Sequence, residues 1–526
     1  MSLMTEMTQN IQDDKKGIDK MVEQFFEKFN KECRPVYFKN YQGIEYLSIV
    51  ENGNERTIRI ISSEMDNLIV KIFRGFGFKW GANKNLVMRI KDEMLAQSIA
   101  DDKKNEVHIR VAGNTNEVFI DLGISTKKLI KITPGQTPEI IQNSNFKFIR
   151  PAKQRDLPIP TFTKLDLNYF KSLFNFEVDD QNMLVLAYIL KSLTPNSSPC
   201  PILILEGPQG SGKTTATEII GKLIDPTEPS LFSPPKNEED IKIHANSSWL
   251  LTYDNLSYLN GNLTDAFCRV STGGGMSSRK LYSNDEELVY SIQRPVVFNG
   301  IEELGERPDF LDRSIVIHTK PISENSRKFS DIIWDPFNKG YSTLLGGGYL
   351  LLSEVLKLLP TIEAKELPRM ADYAKFGIAM EKALELPEGS FMKTYNLHNS
   401  TKNSNLFDSD LTCFFLEYVM KRRDYGGQNY FIGTTSELMA YVDGFCKSTS
   451  IKRSTLPSNP RSFKGRLSRI KPILEENGIE MKDLPRTSNK RPFYFRWKDP
   501  KRSIGFEQDL HIYLNPDVSG IDWNVL

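Results

Sequence analysis

Cysteine and histidine are scarce, five of each in 526 residues. Cys33, Cys200, Cys268, Cys413 and Cys446 lie far apart with no C-x-x-C spacing, and the histidines form no ligand cluster with them. This excludes a zinc-ribbon site and a disulfide framework and points to reduced thiols. An excess of one charge is lacking too: 68 Lys+Arg stand against 67 Asp+Glu. The total therefore argues neither for nor against nucleic acid, and the distribution of charge has to decide. No apolar run approaches the ~18 residues of a membrane span. The start, MSLMTEMTQNIQDDKKG, lacks the hydrophobic core of a signal peptide. The expectation is a cytoplasmic protein with no membrane partner, too long for a single core.

What is present is most specific at Pro201–Ile220, PILILEGPQGSGKTTATEII. Gly207, Pro208, Gln209, Gly210, Ser211, Gly212, Lys213 and Thr214 complete a G-x-x-x-x-G-K-[ST] loop between an apolar strand and a helix, with Thr215 following. The glycines allow successive N–H groups to converge on phosphates at the positive end of the helix. Lys213 then reaches the outer phosphates and the Thr214 hydroxyl ligates Mg²⁺. The cofactors expected are ATP and Mg²⁺.

Around this loop the chain divides by texture. Residues 1–66 join a polar start to an amphipathic helix carrying Met21, Phe25 and Phe29 at helical spacing. Residues 67–154 read as a mostly β domain, because EVHIRVA, EVFIDLG and KLIKITPG alternate apolar and polar positions. His108 and Asp121 within it suggest no site, because a histidine on an alternating strand is ordinarily a half-buried sheet residue. The Pro-rich connector RDLPIPTFTK opens an ATPase core at 155–325, followed by a helical lid and linker at 326–400. After the polar break NLHNSTKNSNLFDSD comes a separate domain, 401–526.

Further elements refine the ATPase reading. SWLLTYDNLS is an apolar strand ending in Asp254, which fits a Walker B carboxylate holding Mg²⁺ with Thr214. Asn255 follows where ATPase motors commonly carry glutamate; it can orient water, and Glu206 beside the loop is a second candidate base. RPVVFNGI is a buried strand ending in Asn299, whose amide suits the water-positioning role called sensor 1. In RPDFLDRSIVI, Arg313 precedes a strand at the point from which an arginine reaches a neighbouring subunit's γ-phosphate, with Arg307 as its rival.

In this order and spacing, these motifs and TGGGMSSRKLYSNDEELVYSIQRPVVFNGI resemble the AAA+ helicases of superfamily 3 and the MCM-like group of mobile elements. Examples are the replication initiator helicases of staphylococcal pathogenicity islands and cassette chromosomes. The resemblance runs from the N-terminal strands to LPRMADYAKFG. It implies a homohexameric ring with ATP between subunits, Arg313 acting in trans, Arg369 as a sensor 2 arginine, and single-stranded DNA in the channel. It also implies a pore hairpin at KLYSNDEELVYSI. Its tip, Asp285, Glu286 and Glu287, is acidic, so Arg279 and Lys280 at its base are the expected DNA contacts.

The C-terminal text is basic despite the neutral total. SNPRSFKGRLSRIKPILEENG reads as a helix with Phe463, Leu467, Ile470 and Leu474 as its buried stripe and Arg461, Lys464 and Lys471 on the other face. IEMKDLPRTSNKRPFYFRW adds a basic hairpin, and the set resembles a winged helix with Lys490, Arg491 and Arg496 on the wing. The fold expected is α/β: an AAA+ P-loop ATPase core, a mostly β N-terminal domain and a C-terminal winged-helix domain on duplex DNA. The function expected is an ATP-dependent DNA helicase that self-loads to initiate replication of a mobile element, with possible replication-initiation partners. Two rivals are a remodelling or loading ATPase that does not unwind, and a DNA-binding regulator switched by nucleotide.

Overall fold

The computed structural model describes residues 2–51, 53–75, 83–195, 198–256, 259–279, 287–300, 308–323, 325, 329–363, 367–397, 411–421, 429–449, 451–453, 456–486, 491–503 and 505–514. The chain is mixed α/β with several sheets and folds as two compact units. The first comprises Met1–Glu302 and Ile317–Met392, the second Glu303–Val316 and Lys393–Leu526.

The first unit opens with α1 (Ser2–Cys33), the antiparallel strands β1 (Val36–Lys39), β2 (Glu45–Glu51) and β3 (Asn54–Arg59), then α2 (Ser63–Gly75) and α3 (Lys84–Ala100). Phe25 and Phe29 of α1, Ile69 and Phe73 of α2, and Ile90 and Met94 of α3 bury against Leu47 and Ile58 of the sheet. Each such side chain contributes about 1.5–3 kcal/mol on leaving water. The expected boundary at 66/67 falls inside α2, and the strands expected from there begin only at residue 107. Met65, Leu68, Ile69 and Phe73, then Leu86, Val87, Ile90 and Met94, recur at three and four. That period is helical, and it carries both segments into the same core as α1.

Next come β4 (Val107–His108), β5 (Val111–Gly113), β6 (Val118–Asp121), β7 (Leu129–Ile132), β8 (Glu139–Ile141) and β9 (Lys147–Phe148). β5 to β8 form an antiparallel meander and β4 pairs with β9. Backbone and hydroxyl bonds fasten this meander to later parts of the same unit. Leu157 N–H donates to Leu122 O at 2.9 Å, Arg155 N–H to Pro226 O at 2.8 Å, and Ser353 Oγ to Thr133 O at 2.8 Å.

After α4 (Leu167–Ser172) and α5 (Gln181–Ser192), a largely parallel sheet is built from β10 (Ile202–Glu206), β11 (Leu251–Tyr253), β14 (Val296–Gly300) and β15 (Ser314–His318), in the order β11-β14-β10-β15. β14 is parallel to both β10 and β11. Between them lie α6 (Lys213–Ile224), α7 (Glu238–Ala245), α8 (Gly261–Thr272), the antiparallel pair β12 (Gly275–Arg279) and β13 (Glu287–Ser291), and α9 (Pro308–Leu311). Phe232 adds a parallel bridge to Tyr253 beyond β11. β10, β11 and β14 are buried throughout, as their unbroken apolar text requires.

α10 (Ser330–Leu358) and α11 (Ala371–Ala383) follow. By length and composition α10 could cross a membrane, but half of its apolar window is buried inside the protein. Gly346 and Gly347 let it lie directly on the backbone of the connector: a Cβ on Gly346 would stand 1.9 Å from Thr161 O.

Besides α9 and the start of β15, the second unit contains α12 (Leu411–Lys421), β16 (Tyr430–Gly433), α13 (Thr435–Met439), α14 (Val442–Thr449), α15 (Pro460–Glu476), β17 (Ile479–Asp483), β18 (Phe493–Trp497) and α16 (Phe506–Leu514). The sheet order is β16-β18-β17, antiparallel throughout. Phe463, Leu467, Ile470 and Leu474 of α15 are fully buried. The expected stripe is thus the observed one, and the helix continues through Pro472 to Glu476.

Candidate functional site

β10 delivers the chain to residues 207–212, and Gly212, with φ of +86°, turns it into the first residue of α6. Gly207 needs its missing side chain for room: a Cβ there would meet Thr319 Oγ1 at 2.2 Å. Just after β15, Thr319 clamps the loop. Its N–H donates to Glu206 O at 2.8 Å, and its hydroxyl lies 2.7 Å from Ser211 Oγ. From the segment before α5, Asn175 Nδ2 donates to Ser211 O at 3.1 Å and to Lys320 O at 2.7 Å. Pro208, Gln209 and Gly210 form the exposed crest of the loop, and Thr215 is half-buried in the first turn of α6.

Lys213 bends back over this loop and donates to Gly207 O at 2.7 Å and Pro208 O at 2.8 Å. Burial lowers its pKa, and the Asp254 carboxylate pulls the other way. Thr214 Oγ1 lies 3.2 Å from Asp254 Oδ1. The structure thus brings together a cradle of loop N–H groups, an ammonium, a hydroxyl and a carboxylate. That donor set fits a phosphate chain carrying a hard divalent cation.

Behind them runs a chain of bonds that joins three elements. Asn299 Oδ1 accepts from Asn255 N–H at 2.8 Å, Asn299 Nδ2 donates to Thr217 Oγ1 at 3.1 Å, and Thr217 Oγ1 donates to Lys213 O at 2.9 Å. Asn255 is exposed at φ of +53°, a left-handed turn that asparagine tolerates better than most residues. Asp254 N–H donates to Phe232 O at 3.0 Å. Glu206 is buried, with His318 Nδ1 4.0 Å from its carboxylate.

Other expected site residues stand elsewhere. Arg313 belongs to the second unit, where its guanidinium lies 3.6 Å from Asp309. Arg369 is exposed in the turn before α11. Arg279 ends β12 opposite Glu287 of β13, at the tip end of the pair and not at its base, while Lys280, Asp285, Glu286, Arg307 and Lys490 lie outside the described residues. In the second unit, Lys464 pairs with Asp483 and sits 4.5 Å above the Phe493 ring. Lys471 lies 3.8 Å from Glu475, and Arg496 donates to Glu480 at 2.9 Å and Glu507 at 2.7 Å. Arg461 and Arg491 are exposed, and neither meets an acidic partner among the described residues. Of the residues sequence reasoning missed, Thr217 carries a readable signal, standing one helical turn after Lys213 on the same face. Thr319, which meets Ser211, and Asn175 carry none, since their contacts join distant parts of the chain.

Two stretches match models of one replication protein. Residues 167–395 match the actinomycete integrative conjugative element replication protein, and residues 416–502 match the C-terminal domain of its RepA. Over these stretches the chain is similar to a replication protein of mobile elements, the matching models being those of actinomycete integrative conjugative elements. Among solved structures, the apo C-terminal region of NrS-1 is 12% identical, with 90% of this chain and 98% of that one covered at a TM-score of 0.39. JCV helicase is 14% identical, with 43% of this chain and 61% of that one covered at a TM-score of 0.23. At those scores neither carries an argument about this chain. No curated protein matches it.

Proposed function

We propose, from that likeness to mobile-element replication proteins, that the chain is an ATP-dependent DNA helicase of the AAA+ type that initiates replication of such an element. The observation that carries the proposal is the meeting of Lys213, Thr214 and Asp254 at one end of a parallel sheet. The strand order, with the bridge at Phe232 beyond β11, supports a P-loop core in which the loop, the carboxylate and Asn299 end adjacent strands. The phosphates of ATP would lie over residues 207–212, with Lys213 exchanging the loop carbonyls for phosphate oxygens. Mg²⁺ would be held by Thr214 and Asp254, and when bound it neutralises phosphate charge.

The chain's own residues then have separable tasks. Lys213 binds, Asp254 and Thr214 orient, and Asn299 fixes the turn that presents Asn255. These bonds use one of the two N–H donors and one oxygen lone pair of the Asn299 amide, leaving a second donor and a second lone pair for directing water. Arg313 completes the site from a neighbouring subunit of a homohexamer, and Arg369 contributes as sensor 2. The β12–β13 hairpin, with Arg279 and Lys280, follows single-stranded DNA. The second unit binds duplex as a winged helix, with Arg461 and Arg491 on phosphate. The protein acts in the cytoplasm.

The test is ATP turnover with and without single-stranded DNA, beside strand separation of a forked duplex, for the parent, Lys213→Ala and Arg313→Ala. Stimulation by DNA, with unwinding that needs both residues, supports the helicase. Turnover without unwinding favours a remodeller or loader. Asn255 in place of a carboxylate favours one further reading, a nucleotide-switched DNA-binding regulator, which predicts tight duplex binding and almost no turnover.

A further inference from the structure

Arg110, between β4 and β5, is completely buried at φ of +59°, a conformation an arginine adopts only when its surroundings impose it. Its three guanidinium nitrogens serve three segments. Nε donates to Asp225 Oδ1 at 2.9 Å, Nη1 to Asp121 O at 2.7 Å, and Nη2 to Arg155 O at 2.7 Å. Asp225 is the residue that ends α6, and its other oxygen accepts from Trp249 N–H at 2.7 Å and Leu250 N–H at 3.3 Å, at the entrance to β11.

These contacts close a circuit. α6 begins with Lys213 and Thr214 and ends at Asp225. Asp225 grips the start of β11, β11 is three residues long and leads to Asp254, and Asp254 returns to Thr214 at 3.2 Å. Helix and strand are stiff, so the separation of Thr214 from Asp254 at one end depends on how α6 and β11 are joined at the other. We infer that Arg110 and Asp225 are positioning residues that set the Thr214–Asp254 pair for Mg²⁺–nucleotide, and through which the β5–β8 meander acts on the site. The inference rests on the nucleotide-binding reading proposed for the loop. Sequence offers no hint of it, because the partners are 115 residues apart. Groups that bond a metal ligand directly change metal affinity about 10–100-fold; Arg110 and Asp225 act through the length of α6 and β11, so a smaller effect is expected of them.

A suitable control is Glu381 of α11, buried and accepting from Phe391 N–H at 2.6 Å and Gly389 N–H at 2.9 Å. Neutralising it disturbs a buried carboxylate in the same unit that bonds neither Arg110 nor Asp225. The experiment is equilibrium binding of a fluorescent ATP analogue to the full chain, with EDTA and across a Mg²⁺ titration, for the parent, Arg110→Lys, Asp225→Asn and Glu381→Gln. Thermal unfolding establishes the folded fraction of each.

The expected result is a Mg²⁺ half-saturation raised up to about tenfold in Arg110→Lys and Asp225→Asn, the low end for direct partners of metal ligands. Metal-free affinity should stay within about twofold, and Glu381→Gln should match the parent in both. If all three variants match the parent per folded molecule, or if Glu381→Gln shifts as much as the others, Arg110 only holds the fold and the inference is overturned. If the parent binds no nucleotide, the nucleotide-binding reading falls and takes this one with it; parental binding with unshifted variants overturns this inference alone.

Discussion

Asn299 tests the bonding of the site most directly. Replacing it by alanine removes the acceptor for Asn255 N–H and the donor to Thr217 Oγ1, at a position only 2% exposed. The buried bond to Thr217 and the part-buried one from Asn255 contribute about 1 kcal/mol each, and the N–H left without its partner adds up to about another. Asn299→Ala should therefore destabilise the first unit by about 2–3 kcal/mol. Thr217→Val keeps the side-chain shape and removes the hydroxyl, for about 1–2 kcal/mol by the same reasoning. The two residues share one bond, so the double variant should cost about 1 kcal/mol less than the sum of the singles. Urea unfolding at equilibrium, followed by far-ultraviolet circular dichroism, measures all four corners of this cycle. A coupling below about 0.3 kcal/mol would mean that the Asn299–Thr217 bond does not contribute in solution. In that case the site would not be organised as described.

Other parts of the chain give three more expected outcomes. Burial, with Arg294 as the second cause, pushes the His108 pKa from 6.5 down to about 4. The unfolded chain then binds the extra proton between pH 6.5 and 4, so stability falls as pH falls through that window, by about 2 kcal/mol at pH 5. His108→Phe should remove that acid sensitivity when unfolding is compared at pH 7 and pH 5; an unchanged slope refutes it. In duplex binding measured against salt, Arg461→Ala and Arg491→Ala should each lower the slope of log affinity by about 1. Lys464→Met, by contrast, should lose stability through Asp483 and Phe493 and leave the slope alone. Finally, Gly346→Ala should cost at least about 1–3 kcal/mol, because the added methyl meets the backbone of Thr161; a neutral result in thermal unfolding contradicts the packing of α10.

The loop, the strand end at Asp254 and the strand end at Asn299 were legible because each is a local pattern in which residue type and spacing state the chemistry. The helices at 63–75 and 84–100 were equally local, yet an expectation of strands covered them; their three-and-four periodicity was the signal to follow. Charge in the second unit was legible only as a count. A count of basic residues does not reveal that Lys464 meets Asp483 across β17, or that Arg496 lies between Glu480 and Glu507. Such pairs exist only once hairpin and helix have folded, and they separate the cations that hold the unit together from Arg461 and Arg491. Asp121 is fully buried and paired with Arg150, a contact that alternation along one strand cannot express.

The chain passes from one compact unit to the other between Glu302 and Glu303, between Val316 and Ile317, and between Met392 and Lys393. A shortened protein ending near residue 392 therefore loses more than a terminal appendage. Residues 308–316, Arg313 among them, remain in it without the rest of the unit to which they belong. Anyone cutting the protein for crystallisation or for a minimal enzyme should keep the C-terminal region, or replace 303–316 with a designed connection. For the same reason, a transplanted C-terminal region from a relative should carry its own version of that internal segment.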